Sequence, residues 1–404
     1  MLQFYFILKN IFFIFVFIFI QSNYLFADKL LVNCGGDFNK FLKNIGEVAI
    51  NQGIDKNDVF LVLKNTQRSK KVLSFDRKQS TFRLSFTDFS KKAINSYRLK
   101  NGKKNIEKYR DLFLVAKSKY GIPPEVITAF WAMETDFGAV QGNFHTISAL
   151  ATLAHDCRRP EMFQQEYIAA IHLFSNGVID LKTTGAWAGE VGQVQMLPSD
   201  ILRFGSDGNK DGIIDLKKSP EDSILTAAAL ISELGWKPNQ PWIEEVIIND
   251  INFPWQEAGF GRNRTVSSWK KLGIISRNKK FMASDKTIAT LLLPQGLKGP
   301  KFLAYPNYNI YLKWNDSFIY TVTAAHLASR LGGQKKFLSS KPEKILSVEE
   351  MLKLQKILQS MGYDVGKVDG ILGRKTRQSV RSIQIKLGLP ADSWPTADLF
   401  NTLN

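Results

Sequence analysis

The sequence predicts an α+β protein that is mainly α, closed by a small helical unit of its own. Three observations lead there. GIPPEVITAFWAMETDFG, residues 121–138, reads as one helix, because Pro123 and Pro124 fit only a helix start and Gly138 supplies a stop; its span is about Pro124 to Asp136. From about 237 to 331 the chain turns to short apolar pieces broken by Pro and Gly, such as IATLLLPQGLKGPKFLAYPNYNIYLKW, and ends in a helix around Ala324 to Leu331. Beyond residue 346 a compact unit opens on a capping box at Ser347 and Glu350, with Met351, Leu354, Leu358 and Met361 at helical spacing and Val380, Ile383 and Leu387 marking a second amphipathic helix.

Taken in chain order, the N-terminus MLQFYFILKNIFFIFVFIFIQSNYLFA has one lysine, an apolar run from Ile11 to Ile20 and a small residue at Ala27. It reads as a secretory signal peptide over residues 1–27, cut before Asp28. The competing reading is an uncleaved anchor that would keep the protein at a membrane, since residues 1–20 are apolar apart from Gln3, Lys9 and Asn10. Cys34 is a poor lipid-attachment site, because Asn33 precedes it. Export favours a disulfide, and Cys34 and Cys157 are the only available pair. Closing so long a loop would stabilise the fold by at most about 4–5 kcal/mol in the entropic model; two unpaired thiols are the alternative. Residues 28 to about 100, with Phe75, Phe82, Phe86 and Phe89, mix short helical and polar segments that wrap the core, and residues 105–236 are helix-rich. GGQKKFLSSKPEKIL, residues 332–346, is polar and reads as a linker.

The chain is long enough for two or three domains, and 44% hydrophobic content excludes a disordered protein. Its net charge of +17 invites a nucleic-acid reading, but lysines and arginines are interspersed with acids and form no long basic block. An exported basic protein has other anionic partners, wall peptide carboxylates among them.

The chemistry centres on Glu134. In the helix at 124–136, Ile127, Phe130 and Trp131 share a face with Glu134, which puts a carboxyl where the next buried side chain would stand. Desolvation there disfavours the charged form and raises the pKa, so the group can act as an acid near neutral pH. The bland alternative is a solvated residue in the last helical turn. Asp136, two residues on, lies on another face.

Four blocks in order, GIPPEVITAFWAMETDFG, ALATLAHDCRRPEMF, GAWAGEVGQVQMLPSD and DGNKDGIIDL, make residues 121–236 resemble the catalytic core of the membrane-bound lytic murein transglycosylase B family. The resemblance extends to about residue 331 and implies a lysozyme-like catalytic region over 28–331. It assigns the Glu of ET-x-x-G as the catalytic acid, here Glu134. Ordinary glycosidases need two carboxyls. The resembled family uses one: it protonates the leaving oxygen and then, as a base, helps the muramic acid C6 hydroxyl close a 1,6-anhydro ring. The loop GAWAGEVGQVQMLPS should line the cleft, with Gln193 and Gln195 as hydrogen-bonding candidates, and Tyr320 in WNDSFIY matches a position near it. Two departures stand out. Ala186 replaces a Ser of many relatives, and Glu190 stands where they often carry Ala. Glu190 could orient Glu134, act as a second carboxylate that permits hydrolysis, or be a surface acid.

DGNKDGIID sets Asp207, Asn209, Asp211 and Asp215 at EF-hand positions one, three, five and nine, with Gly212 at six. The twelfth position fails, since Lys218 replaces the expected Glu. The resembled family closes a longer loop on a later carboxylate, and Asp222 matches best, ahead of Glu221. Calcium, or else sodium, is the expected structural ion, with no organic cofactor. Ser219 and Pro220 also give Asp222 a competing place in a helix start, and a metal-free turn is the alternative.

LQKILQSMGYDVGKVDGILGRKTRQSVRSIQ resembles the three-helix peptidoglycan-binding domain, keeping VDG-x-x-G-x-x-T from Val368 to Thr376. Over residues 347–404 it is expected to fold by itself and to add local substrate concentration only. The whole reads as an exported, monomeric lytic transglycosylase of a Gram-negative periplasm that cleaves the MurNAc–GlcNAc bond of peptidoglycan. Its rivals are a hydrolytic muramidase, a non-catalytic wall-binding scaffold and, last, a nucleic-acid binder.

Overall fold

Pro124 occupies the first turn of the helix around which the other elements gather, Pro124–Thr135. It ends because three residues in a row take left-handed backbone: Asp136 at φ 51°, Phe137 at 63° and Gly138 at 86°. In this computed structural model, which describes residues 30–77, 84–250, 252–338 and 341–404, the helix is buried on nearly every side rather than along one stripe. Helices Ser96–Lys108, Arg110–Tyr120, Pro220–Glu233 and Phe318–Leu331 all pack on it, which the apolar run VITAFWA permits. Gly102 lets the first of them approach closely; a Cβ there would stand 2.7 Å from Leu331 and 3.4 Å from Thr128. The predicted signal peptide, its cleavage point at Asp28, and Phe82 lie outside the described residues.

Helices Phe38–Asn51 and Lys56–Lys64 cover a second pair, Thr146–His155 and Pro160–Ser175. Asp37 and Asp55 start the covering helices by accepting backbone amides of their first turns. Cys34 is bonded to Cys157, Cα atoms 5.4 Å apart, and ties the N-terminal segment to the turn between the second pair. Beside that bond Asp76, 1% exposed, pairs with both Arg158 and Arg159 at 2.5 and 2.6 Å.

The Pro- and Gly-broken region forms a five-stranded antiparallel sheet in the order Asn263–Thr265, Ile288–Leu292, Phe302–Ala304, Ile243–Ile248, Ile274–Ser276. It has its own core around Trp269, Leu291, Leu303 and Tyr305. Helices Tyr308–Trp314 and Phe318–Leu331 then return the chain to the central helix.

The C-terminal unit has three helices, Val348–Ser360, Arg374–Lys386 and Ala397–Leu403, and its own core. It also packs against the sheet region. Arg377 is 3% exposed; its guanidinium donates to Pro294 O at 2.8 Å, faces Leu293 O at 3.5 Å and lies over the rings of Phe318 and Trp394 at 4.9 and 5.5 Å. Leu297 N donates to Asp392 Oδ2 at 2.9 Å. At Gly296, φ 67°, a Cβ would stand 2.7 Å from Trp394. The stretch expected to be a loose linker is also held: Lys336 O accepts from Arg277 at 2.6 Å, Leu338 N donates to Glu245 Oε1 at 2.7 Å, and Phe337 packs on Phe86 and His326.

Candidate active site

Glu134 stands in the last turn of the central helix, half-buried where the helix meets Tyr308–Trp314 and Phe318–Leu331. Two donors converge on its Oε1. Trp314 Nε1 donates at 2.9 Å, and the Tyr320 hydroxyl donates to the same oxygen. Trp314 is itself fixed by stacking on Phe130, ring centroids 4.2 Å apart. Burial pushes the Glu134 carboxyl above its ordinary range, while the Tyr320 and Trp314 donors and then the Arg98 charge pull it back. Tyr320 is buried, and burial with the adjacent carboxylate holds its phenol well above the usual range, so it stays a donor.

Arg98 and Trp314 were not singled out by sequence reasoning. Arg98 donates to Asp136 Oδ1 at 2.6 Å and to Ala93 O at 3.2 Å, fixing the helix end beside the acid. Trp314 lies 180 positions from Glu134 in a segment that reads as apolar packing. Its only signal was its place six residues before Tyr320 in one short motif.

The loop 185–196 buttresses the acid's helix. Thr184–Gly185 pairs with Phe144–His145, Ala186 N donates to Glu190 O at 2.9 Å, and Val191 bridges to Met196. Gln193 is buried, and Trp131 Nε1 donates to its Oε1 at 3.0 Å while the Thr135 hydroxyl donates to its carbonyl. Gly138 is required at the crossing, since a Cβ would stand 2.6 Å from Gln193 Oε1. Gln193 thus supports the helix rather than facing the cleft. Gln195 sits in left-handed backbone at φ 51°, an unfavourable place for a side chain with a Cβ; its Nε2 donates to Gly192 O at 2.9 Å. Glu190 is half-buried as a residue, with Oε2 shut off from solvent. Burial raises its carboxyl, its own backbone amide lowers it, and the Glu134 charge raises it again.

The Asp-rich loop lies behind this buttress. Asp207 accepts from Asp211 N and Gly212 N, Asn209 from Asp211 N, and Asp211 from Ile213 N, all within 2.8–3.1 Å. Asp222 is wholly buried: Oδ1 accepts from Gly208 N and the Ser219 hydroxyl, Oδ2 from Asp215 N. Lys218 at the failed twelfth position lies 3.7 Å from Asp215. Among the described residues no three His, Cys, Asp or Glu side chains converge on one point. The donors are nonetheless the hard oxygens calcium takes, with Asp207, Asn209 and Asp211 in one turn closed by Asp222. The loop's exit bears on the catalytic side: Leu216 O accepts from Gln193 N at 2.8 Å, and Lys217 O from Gln141 Nε2 at 2.9 Å.

Comparison with known proteins bears on this arrangement. The transglycosylase SLT domain model matches residues 37–329, and a peptidoglycan binding domain model matches residues 347–403. Membrane-bound lytic murein transglycosylase B of Escherichia coli (strain K12) is 25% identical over 311 residues, covering 74% of this chain and 84% of that protein. The structure of SltB3 from Pseudomonas aeruginosa in complex with NAG-anhNAM-pentapeptide superposes with a TM-score of 0.83 at 30% identity, covering 91% of this chain and all of that one. Escherichia coli Slt35 in complex with calcium gives 0.64 at 25% identity, over 75% of this chain and 96% of that one.

Proposed function

This chain belongs to the transglycosylase SLT family, lysozyme-like lytic transglycosylases that act on peptidoglycan, and we propose that Glu134 carries both proton transfers of its reaction. The observation that carries the assignment is the convergence of the Tyr320 hydroxyl and the Trp314 indole on one oxygen of a half-buried carboxyl. With Oε1 so occupied, Oε2 is the oxygen that faces the glycosidic bond. As the bond from MurNAc C1 to GlcNAc O4 breaks, Glu134 gives its proton to O4, and the two donors stabilise the carboxylate left behind. The cationic C1 is then attacked by the same sugar's C6 hydroxyl, whose proton returns to Glu134. The products are a GlcNAc hydroxyl end and a 1,6-anhydro-MurNAc end.

Gln193 acts beneath the acid, holding Trp131 and Thr135. Gln195 and the 185–190 stretch line the sugar-binding side. Calcium in the loop of Asp207, Asn209, Asp211 and Asp222 belongs to the same reading, because Slt35 is seen with calcium and this loop has hard oxygen donors. When bound, the ion supplies structural charge neutralisation. Through Leu216 and Lys217 the loop steadies Gln193, not the reacting atoms. We further propose that residues 1–27 export the protein to the periplasm of a Gram-negative bacterium, where it works as a monomer; wall peptidoglycan lies outside the cytoplasm, and Cys34 and Cys157 are paired. Among the described residues no helix is long and apolar enough to cross a membrane, so membrane association would rest on an uncleaved N-terminal segment.

Glu134→Gln tests the assignment. The amide keeps the shape but has no acid proton to give. Mass spectrometry of muropeptides from digested sacculi should show anhydro ends from the parent enzyme and almost none from the variant, with sedimentation onto sacculi unchanged. Near-parental release would remove Glu134 from the mechanism.

A further inference from the structure

The helix that carries Glu134 ends against the preference of its own backbone. Asp136 and Phe137, at φ 51° and 63°, are the only successive non-glycine residues in left-handed backbone among the described residues, and Gly138 follows at 86°. Glycine enters that region freely and aspartate is tolerated there, but a bulky side chain such as that of Phe137 is an outlier. Such conformations persist only where the surroundings over-determine them, and they cluster at active sites. Without that hold, residue 136 would favour right-handed backbone and carry the helix on, re-aiming the turn that bears Glu134.

Two of the holding contacts are local. Trp131 packs edge-on against Phe137, ring centroids 5.4 Å apart, and its carbonyl accepts from Phe137 N at 3.3 Å. The Thr135 hydroxyl accepts from Gly138 N at 2.8 Å. The third comes from another element. Arg98 stands in the first turn of helix Ser96–Lys108, where Asn95 Oδ1 accepts its backbone amide at 2.9 Å, and its Nε donates to Asp136 Oδ1 at 2.6 Å. A second guanidinium nitrogen donates to Ala93 O at 3.2 Å and lies 3.5 Å from Sδ of Met133, the residue before the acid. One guanidinium thus ties the end of helix Phe86–Ala93, the start of helix Ser96–Lys108 and the end of the Glu134 helix. The Arg98 side chain is 15% exposed, so solvent screens the pair only weakly.

We propose that the Arg98–Asp136 ion pair positions the catalytic acid: it holds the left-handed turn that closes the Glu134 helix and so keeps the Glu134 carboxyl seated on the Trp314 and Tyr320 donors. Arg98 and Asp136 are positioning residues, acting through the backbone and not on the sugar. The proposal rests on the reading of Glu134 as the acid. Trp314 and Tyr320 come from two other helices, so a shift in the last turn of the Glu134 helix moves the carboxyl relative to both donors. A misplacement of about 1 Å can cost about a hundredfold in rate. Binding of the sugar, which does not depend on the seat of one carboxyl oxygen, is spared.

The test measures kcat and KM of the full-length enzyme on short soluble glycan fragments. Arg98→Ala and Asp136→Ala should each lower kcat by about ten- to a hundredfold with KM unchanged. The double variant Arg98→Ala/Asp136→Ala should fall no further than either single one, because the two residues act as a unit. Combining Arg98→Ala with Asp136→Gly should restore most of the lost kcat, since glycine takes left-handed backbone without a partner. Burial holds the Glu134 carboxyl up, and after Tyr320 and Trp314 the Arg98 charge draws it back. Glycine does not return that charge, so restoration reads position alone. Asp136→Ala leaves the Arg98 bond to Ala93 in place, and Asp136→Gly should turn over faster than Asp136→Ala, so the test stands even where Arg98→Ala fails to fold. Full kcat in both alanine variants, additive losses in the double variant, or a loss that glycine does not relieve would overturn the proposal. Turnover retained by Glu134→Gln would overturn the reading of Glu134 instead.

Discussion

Tyr320→Phe isolates the part of the site that sets the acid's strength. The substitution deletes one hydroxyl, keeps the ring that packs at the start of helix Phe318–Leu331, and leaves Trp314 as the remaining donor to Glu134 Oε1. A hydrogen bond to a charged group contributes about 1.5–3 kcal/mol. Its loss moves the Glu134 pKa further up, because the donor favours the ionised form. Two effects follow with opposite faces. The rate should fall about ten- to a hundredfold, since the carboxylate formed on proton donation is less stabilised. The alkaline limb of the pH–rate profile should move up, because the acid now keeps its proton to higher pH. Stability carries the same sign: with a folded-state pKa above the unfolded one, the contribution is whole below the unfolded value and is lost as pH rises through the folded value. Tyr320→Phe moves the upper end of that window upward. The assay is release of anhydro-muropeptides across pH, with thermal melts at each pH. An alkaline limb that stays in place, or moves down, would refute the placement of the Tyr320 hydroxyl on an ionisable acid.

Three further outcomes can be checked. If the Asp207–Asp222 loop binds calcium, adding the ion to chelated protein should raise the melting temperature, and Asp211→Ala should abolish the rise; a hundredfold excess over Kd corresponds to about 2.7 kcal/mol. Arg377→Ala should cost about 2–4 kcal/mol by stripping the Leu293 and Pro294 carbonyls of a buried donor and removing two ring contacts, and deleting residues 341–404 should lower both the melting temperature and the turnover of short soluble glycans. Equal melting temperatures for the full and truncated chains would show the docked arrangement to be dispensable.

Local signals in the sequence were strong where one element determines the outcome. Pro124 and Gly138 bounded the acid's helix, the Ser347 and Glu350 capping box is present, and the ET-x-x-G motif singled out Glu134. What depends on distant segments was not legible. The helix bearing Glu134 is buried all round because four other helices close on it, and no window of its own residues states that. Gln193 reads as a cleft residue from its motif, yet its side chain is turned under the helix by Trp131, 62 positions away. Arg98 is one of many basic residues until the fold sets it against Asp136. Phe337 lay in a segment that reads as a linker, and nothing in the sequence marked Arg377, yet both make contacts with the catalytic region.

That docking changes what the C-terminal unit can do. A flexible tether gives a second site an effective concentration set by chain statistics, and the two sites then sample many relative positions. Here Arg377 is buried between the Leu293–Pro294 carbonyls and Phe318, and Phe318 starts the helix that carries Tyr320 two residues later. Arg374 lies over Phe260, and Phe260 packs edge-on against Phe318. The C-terminal unit and the Tyr320 donor to Glu134 therefore meet on one helix. If that unit holds a glycan while Glu134 acts on it, the docked arrangement would set the span between them, and binding would contribute orientation as well as concentration. Loss of the interface should consequently reach the acid itself, through the start of the Tyr320 helix, even for substrates too short to touch the C-terminal unit.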